Sequence, residues 1–176
     1  MHVVVTAVGA DRPGIVAAVT RTLFDHGANI EDSRSAILGG HFAMVLMVAL
    51  GSNSDPGTLE AALTTEVANL ELSVAVRPVP DLPPEQATGD GYTLSVYGAD
   101  RPGIVARVSA LLAERGVNIW DLATHVIEGE QPVYVMILEI AVPSGSDAAA
   151  LEAELSALAR ELGVDVSLQP MEPETL

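Results

Sequence analysis

The chain contains the stretch Gly9-Ala-Asp-Arg-Pro-Gly-Ile-Val-Ala17 twice, the second time as Gly98-Ala-Asp-Arg-Pro-Gly-Ile-Val-Ala106. The similarity continues with Gly27-Ala-Asn-Ile-Glu-Asp32, which matches Gly116-Val-Asn-Ile-Trp-Asp121. A repeat of this period is too long for a solenoid unit and suits a small domain. The chain is therefore one module built twice, and whatever the repeated loop does is expected twice.

The composition favours a small cytoplasmic protein. At 176 residues the chain holds one domain or two small ones. Each half is close to the lower size limit for an independent core, so halves or chains are expected to pack together. There is no cysteine, which excludes disulfides and thiolate metal sites. No apolar stretch is long enough to cross a bilayer, and the N-terminus lacks the features of a signal peptide.

The charge balance is strongly acidic. Twenty-four acidic and eight basic residues give a formal charge of −16. Direct binding of nucleic acid needs a basic face, and so does binding to anionic membranes, so neither partner is expected. Only 3% of residues are aromatic, too few for a base-stacking platform. The simplest interpretation of the charge is solubility.

Periodicity predicts the order βαββαβ for the first module, residues 1–80. Asp11 is expected to cap the first helix, with Pro13 in its first turn and Gly27 ending it. Gly39-Gly40 is a predicted hairpin turn. The expected strands are His2–Val8, Asn29–Leu38, Phe42–Leu50 and Leu72–Val79, and the apolar helix positions are Ile15, Val16, Val19, Leu23 and Phe24, then Leu59, Leu63 and Val67.

Residues 81–91, rich in proline and polar residues, are predicted to form a linker. The second module, residues 92–171, repeats the order of the first, and the tail after Met171 is expected to be mobile. Its expected strands are Tyr92–Tyr97, Asn118–Ile127, Val133–Val142 and Val164–Leu168, and its expected helices are Pro102–Arg115 and Ala148–Leu162.

This element order predicts an α+β fold of two ferredoxin-like modules, each an antiparallel sheet in the order 4-1-3-2 with both helices on one face. In the second module, Thr93 and Ser95 alternate with apolar residues, which indicates one wet face. In the first module neither face of the central strands is polar. A second chain or the other half should therefore cover this face, and we expect a homodimer that uses it. The alternative is that small Ala and Met side chains there tolerate water.

The repeated loop is the strongest candidate for a binding site. The amides of a helix N-terminus suit a carboxylate, and an adjacent aspartate suits an ammonium group. Glycine in the turn lets a ligand approach the backbone. Together these groups would select an α-amino acid, although the same residues also serve as an ordinary cap and turn. The residues concerned are Asp11, Arg12, Pro13 and Gly14, and Asp100, Arg101, Pro102 and Gly103. Both arginines are expected to pair with surface carboxylates.

Arg-Pro-Gly-Ile after an apolar strand, followed by Gly-x-Asn-Ile at the next strand, resembles the ACT domain, a family of small regulatory modules that bind amino acids. The resemblance covers both halves, and the duplication resembles the tandem ACT proteins of the glycine cleavage system transcriptional repressor group. It implies that Asn29 and Asn118 contact a ligand across a module interface. Their alternative role is to shape the turn before the strand. The flanking residues Ile15, Ile30, Ile104 and Ile119 complete the implied ligand-binding set.

One position departs from the serine-binding ACT domain of phosphoglycerate dehydrogenase. That domain has a histidine where Gly9 and Gly98 stand here, and the polar contact would be aspartate rather than asparagine. Serine is therefore a doubtful ligand, and a small amino acid such as glycine is expected from the subgroup alone.

Other polar residues are expected to have structural roles. Asp32 and Asp121 should lie on the opposite side of their strand from the preceding asparagine, as solvated edge charges. Trp120, which replaces Glu31 in the second copy, favours an interface role. No catalytic group, metal set or cofactor loop is found. The sequence thus predicts a non-enzymatic amino-acid sensor that acts on a protein partner, or alternatively a dimerisation scaffold that has lost its ligand.

Overall fold

The computed structural model describes residues 1–52, 54–80, 89–130 and 132–171. The chain divides into two compact units, Met1–Pro84 and Glu85–Leu176, referred to here as the first and second modules. Both have the predicted order βαββαβ. Most of the predicted linker, and the tail after Met171, lie outside the described residues.

In the first module, Asp55 caps the second helix by accepting a hydrogen bond from the amide of Thr58, and Pro56 takes the first helical position. Gly27 ends the first helix at a φ of 67°. The elements are β1 His2–Ala10, α1 Ile15–Asp25, β2 Asn29–Leu38, β3 His41–Ala49, α2 Pro56–Glu66, a 3₁₀ turn Ala68–Leu70 and β4 Leu72–Val79.

In the second module, Asp147 caps the last helix through the amides of Ala149 and Ala150. Its elements are β5 Gly89–Gly98, α3 Ile104–Glu114, β6 Asn118–Ile127, β7 Val133–Pro143, α4 Ala148–Leu162 and β8 Val164–Pro170.

Several boundaries differ from the sequence prediction by one to three residues. Strand β5 begins at Gly89 rather than Tyr92, because β7 is eleven residues long and offers partners to three more residues. The glycines there suggested a linker, but Gly89 sits so close to the Val142 carbonyl that a Cβ would lie 2.3 Å from its oxygen. Helix α3 begins at Ile104 rather than Pro102.

The strand orders are β2-β3-β1-β4 and β6-β7-β5-β8, with every pairing antiparallel. This confirms the predicted ferredoxin-like fold, with the most apolar strands at the centre of each sheet. The helix-facing side of each sheet forms the core, which in the first module includes Val3, Val5, Ala7, Leu46 and Val48 against Ile15, Val19, Leu23, Leu59 and Leu63.

The sheet side turned away from the helices is called the open face. In the first module, Val4 pairs with Met47, and Thr6 pairs with Val45. Val8 and Val45 are 50% and 49% exposed, so this face carries exposed apolar side chains. In the second module Thr93 pairs with Glu139, which places polar groups on the same face as predicted.

A β-bulge interrupts the edge strand of each module at the same point. The register shifts between Ile30 and Asp32, and again between Ile119 and Asp121. Asn29 pairs with Ala49 and Asp32 with Met47, so both side chains lie on the open face. The prediction that Asp32 and Asp121 lie opposite the asparagine was therefore wrong, because one extra residue resets the alternation of the strand.

Candidate functional site

The repeated loop connects the first strand of each module to its first helix. Gly14 and Gly103 precede the helices with φ of 96° in both copies, a left-handed conformation that favours glycine. No side chain caps either helix. The prediction that Asp11 caps α1 was therefore wrong. The helix begins only at Ile15, because the left-handed glycine ends the extended part of the loop.

The leading amides of each helix, which follow this glycine, form no helical hydrogen bond. The first helical bond of α1 runs from the amide of Ala18 to the carbonyl of Gly14 at 2.9 Å, and Arg107 bonds Gly103 in the same way. Within the described residues, the amides of the three preceding positions, Ile15 to Ala17, have no acceptor. They carry the partial positive charge of the helix end, which is suited to a carboxylate.

The aspartate of the loop is exposed in both copies. The amide of Asp11 donates to the carbonyl of Gly40 at 2.9 Å, which ties the loop to the β2–β3 hairpin. No described side chain forms an ion pair with the carboxylates of Asp11 or Asp100. Both acids are therefore available to a cationic group.

The isoleucines of the predicted set differ in accessibility. Ile15 and Ile104 are 2% exposed and belong to the two cores. Their side chains therefore serve the core and are not available to a ligand. Ile30 is exposed on β2, while Ile119 packs partly against the second core.

The loop arginines reach the turn that precedes the last strand of their module. Nη2 of Arg12 lies 2.6 Å from Oε2 of Glu71, as predicted for a surface ion pair. Arg101 instead donates from Nη1 to the carbonyl of Leu162 at 3.3 Å, so the expected carboxylate partner was wrong in the second module. Each guanidinium thus contacts its own module, and this geometry gives neither a role in ligand binding.

The glycine that opens each loop lies tightly against the neighbouring strand. A Cβ on Gly9 would lie 2.4 Å from the carbonyl oxygen of Glu71, and one on Gly98 would lie 2.7 Å from Cγ1 of Val164. Neither position has room for a side chain. A histidine contact of the kind implied for serine binding is thus sterically excluded in both modules.

The two halves of the predicted site are far apart within a module. Asp11 follows the last residue of β1, whereas Asn29 lies beside the first, because His2 and Asn29 both pair with Ala49. The nine residues of β1 span about 27 Å. Since no amino acid bridges this distance, the loop and the asparagine of one module cannot contact the same ligand molecule.

The bulge residue distinguishes the two copies. In the first module, Oε2 of Glu31 lies 3.2 Å from Nε2 of His2, an acidic partner that the sequence did not indicate. In the second, Trp120 lies over Gly91, where a Cβ would be 3.3 Å from the indole ring. The indole is 47% exposed, two residues from Asn118. The two asparagines therefore have different neighbours, one charged and one aromatic.

Tyr134 is a polar residue near the second loop that the sequence analysis missed. Burial raises the pKa of its phenol, the carboxylate of Asp100 raises it further, and a hydrogen bond with the side chain of Thr124 acts in the opposite direction. The equivalent residue in the first module is Phe42, since Gly9 pairs with Phe42 as Gly98 pairs with Tyr134. The signal was a hydroxyl in a strand whose other polar side chain is that of Glu139.

Among residues 1–52, 54–80, 89–130 and 132–171, no cluster of His, Asp or Glu side chains could hold a metal ion. In the same ranges, no helix has the length and apolar character needed to cross a membrane.

Comparison with known proteins agrees with the duplication. The ACT domain model matches residues 1–77 and again residues 93–169. The chain is 34% identical over 175 residues to the glycine cleavage system transcriptional repressor of Escherichia coli K12, covering 95% of this chain and 88% of that protein.

Two solved structures share the whole architecture. A protein of unknown function from Galdieria sulphuraria superposes with a TM-score of 0.83 at 31% identity, covering 97% of this chain and 98% of the other. A putative glycine cleavage system transcriptional repressor superposes with a TM-score of 0.74 at 29% identity, covering 98% of both. The chain therefore belongs to the ACT domain family, as a tandem ACT protein of the glycine cleavage system transcriptional repressor group.

Proposed function

We propose that this chain is a non-enzymatic sensor of a small amino acid that acts in the cytoplasm through a protein partner. The observation that carries the proposal is the pair of uncapped helix N-termini, each beside an unpaired aspartate. Carboxylate at the amides and ammonium at Asp11 or Asp100 would recognise the two charges of a zwitterion. The regulatory character of the ACT family supports the same role.

The ligand site is proposed to be completed by a second copy of the chain. Asp11 and Asn29 lie at opposite ends of the first sheet, and Asp100 and Asn118 lie at opposite ends of the second. A ligand held by the loop of one copy and the asparagine of the second copy would stabilise one packing of the two copies over others. The sensor is proposed to work as a homodimer, whose arrangement changes with ligand concentration.

Glycine is the proposed ligand, and glycine or serine metabolism the proposed context. The relative from Escherichia coli is named for the glycine cleavage system. The lack of space at Gly9 and Gly98 argues against a serine contact through histidine. The charge of −16 argues that the output passes through a protein rather than direct DNA contact.

Titration calorimetry with the common amino acids tests the sensor. Wild-type protein is expected to bind a small amino acid, and Asp11→Ala combined with Asp100→Ala should abolish binding while the dimer persists. Asp25→Ala with Glu114→Ala is the matched control, since it removes two exposed acids at the far ends of α1 and α3. If no amino acid binds wild type more tightly than millimolar, the sensor is refuted.

The second candidate is a dimerisation scaffold without a ligand. The exposed apolar side chains on the open face of the first module favour this alternative. A scaffold would keep its partner interactions in the Asp11→Ala, Asp100→Ala variant. A sensor would lose its response to the amino acid. A pull-down from cell extract with and without the ligand separates the two.

A further inference from the structure

One row of side chains on the open face of the first module has opposite charges at its two ends. The pairing of the strands places the row across the whole sheet, one residue from each strand. The residues, from β2 to β4, are Asp32, Met47, Val4 and Arg77. From the β2 edge to the β4 edge, the row consists of an acidic residue, two apolar residues and a basic residue. From the β4 edge the order is reversed.

The two charges at the ends of the row have no ion-pair partner among the described residues. Asp32 and Arg77 are both exposed, and Asp32 accepts a hydrogen bond only from the amide of Ser33, at 2.7 Å. Three strand spacings separate their backbones, about 14 Å, so they cannot pair with each other. The two residues between them are apolar, and Val45 is 49% exposed beside the row.

We propose that the open face of the first module packs against the same face of a second copy, about a two-fold axis parallel to β1 and β3. Such a rotation reverses the row, because it exchanges the left and right edges of the sheet. Each Asp32 then faces Arg77 of the second copy, and Met47 faces Val4. The interface contains two symmetric ion pairs around an apolar centre. This specifies the geometry of the proposed homodimer and does not depend on amino-acid binding.

Two other arrangements do not bring the two charges of the row together. A two-fold axis perpendicular to the strands would set β2 against β2 and β4 against β4, so Asp32 would not meet Arg77. The matching row of the second module is acidic or neutral throughout. Its residues are Asp121, Glu139, Thr93 and Gln169. Two copies of that row would therefore set no opposite charges of the row against each other.

Charge reversal tests the pairing by sedimentation equilibrium. Asp32→Arg alone sets two cations against each other twice, and should raise the dimer dissociation constant at least about tenfold. Arg77→Asp alone should do the same with two acids. The double variant Asp32→Arg, Arg77→Asp restores opposite charges and should recover dimerisation. Asp121→Arg is the matched control in the second module and should leave the dimer unchanged.

Because the chain has no cysteine, engineered cysteines allow a second test. This test does not depend on charge reversal, so it separates a lost contact from a misfolded variant. Chains with Asp32→Cys are mixed with chains with Arg77→Cys and treated with a short bismaleimide cross-linker. A covalent dimer from the mixture, with neither variant cross-linking alone, supports the geometry. The proposal is overturned if the wild type is monomeric, if the double charge reversal fails to recover the dimer while remaining folded, or if the mixture gives no covalent dimer. Loss of this geometry with amino-acid binding intact would leave the sensor standing.

Discussion

Arg12 and Glu71 form an ion pair with 2.6 Å between Nη2 and Oε2, although Glu71 has a left-handed backbone with a φ of 56°. Gly163 holds the equivalent position in the second module, at a φ of 71°. There the guanidinium of Arg101 lies over the glycine and donates to the preceding carbonyl. One module has thus kept a side chain at a strained position, and the other has kept the conformation without a side chain.

This difference predicts that substitutions at Gly163 and Glu71 change the free energy of unfolding differently. Gly163→Ala should lower the free energy of unfolding by about 1–2 kcal/mol, because it adds left-handed strain and a Cβ close to Arg101. Glu71→Gly removes the strain but also an exposed ion pair worth about 0.2–1 kcal/mol, so it should not destabilise. Urea unfolding of both variants checks this. Equal destabilisation by both would contradict the assigned backbone conformations.

Substitution at Gly9 should be far more harmful. A Cβ would lie 2.4 Å from a backbone oxygen of Glu71, so the strand must move, and Gly9→Ala should cost about 1–3 kcal/mol or more. Gly51→Ala is the matched control, since its Cβ would meet only Ser54 Oγ at 3.7 Å. That change should be neutral within about 0.5 kcal/mol. Thermal denaturation measures both, and similar melting temperatures would disprove the close contact.

Tyr134 should ionise later than an ordinary tyrosine, since burial and the nearby carboxylate of Asp100 raise its pKa. Tyr134→Phe, which copies Phe42 of the first module, should remove the late step from an absorbance titration. Tyr97→Phe is the control, because Tyr97 is 41% exposed and should leave that step in place. A late step that survives Tyr134→Phe would show that the phenol lies elsewhere.

Asp55 should make a contribution to stability that depends on pH and is lost in acid. Hydrogen bonds from the backbone amide and the hydroxyl of Thr58 lower the pKa of its carboxyl in the folded state. Its contribution is therefore present above the unfolded pKa and is lost as the pH falls through the lower folded pKa. Asp55→Asn retains a cap but cannot titrate. Melting temperatures of wild type and variant should converge in acid, and a constant difference at all pH values would refute the assignment.

The repeat and its periodicity were sufficient to predict the fold. Eight strands and four helices were expected in the observed order, since the apolar residues of each element alternate or recur at helical spacing and each module must bury one face. The strand order also followed, because only the most apolar strands suit the centre of a sheet. The start of β5 did not follow, since its glycines resemble a linker unless the long partner strand is known.

For the candidate site, the sequence determined which residues recur, and the tertiary structure decided what they can do together. Local pattern could not show that Gly14 rather than Asp11 precedes the helix, nor that Gly9 lies against the Glu71 carbonyl, because both depend on backbone conformation and neighbouring strands. The bulges that turn Asp32 and Trp120 depend on register. Only the sheet topology places Asp11 and Asn29 at opposite ends, because β1 and β2 are both antiparallel to β3 and therefore run in the same direction.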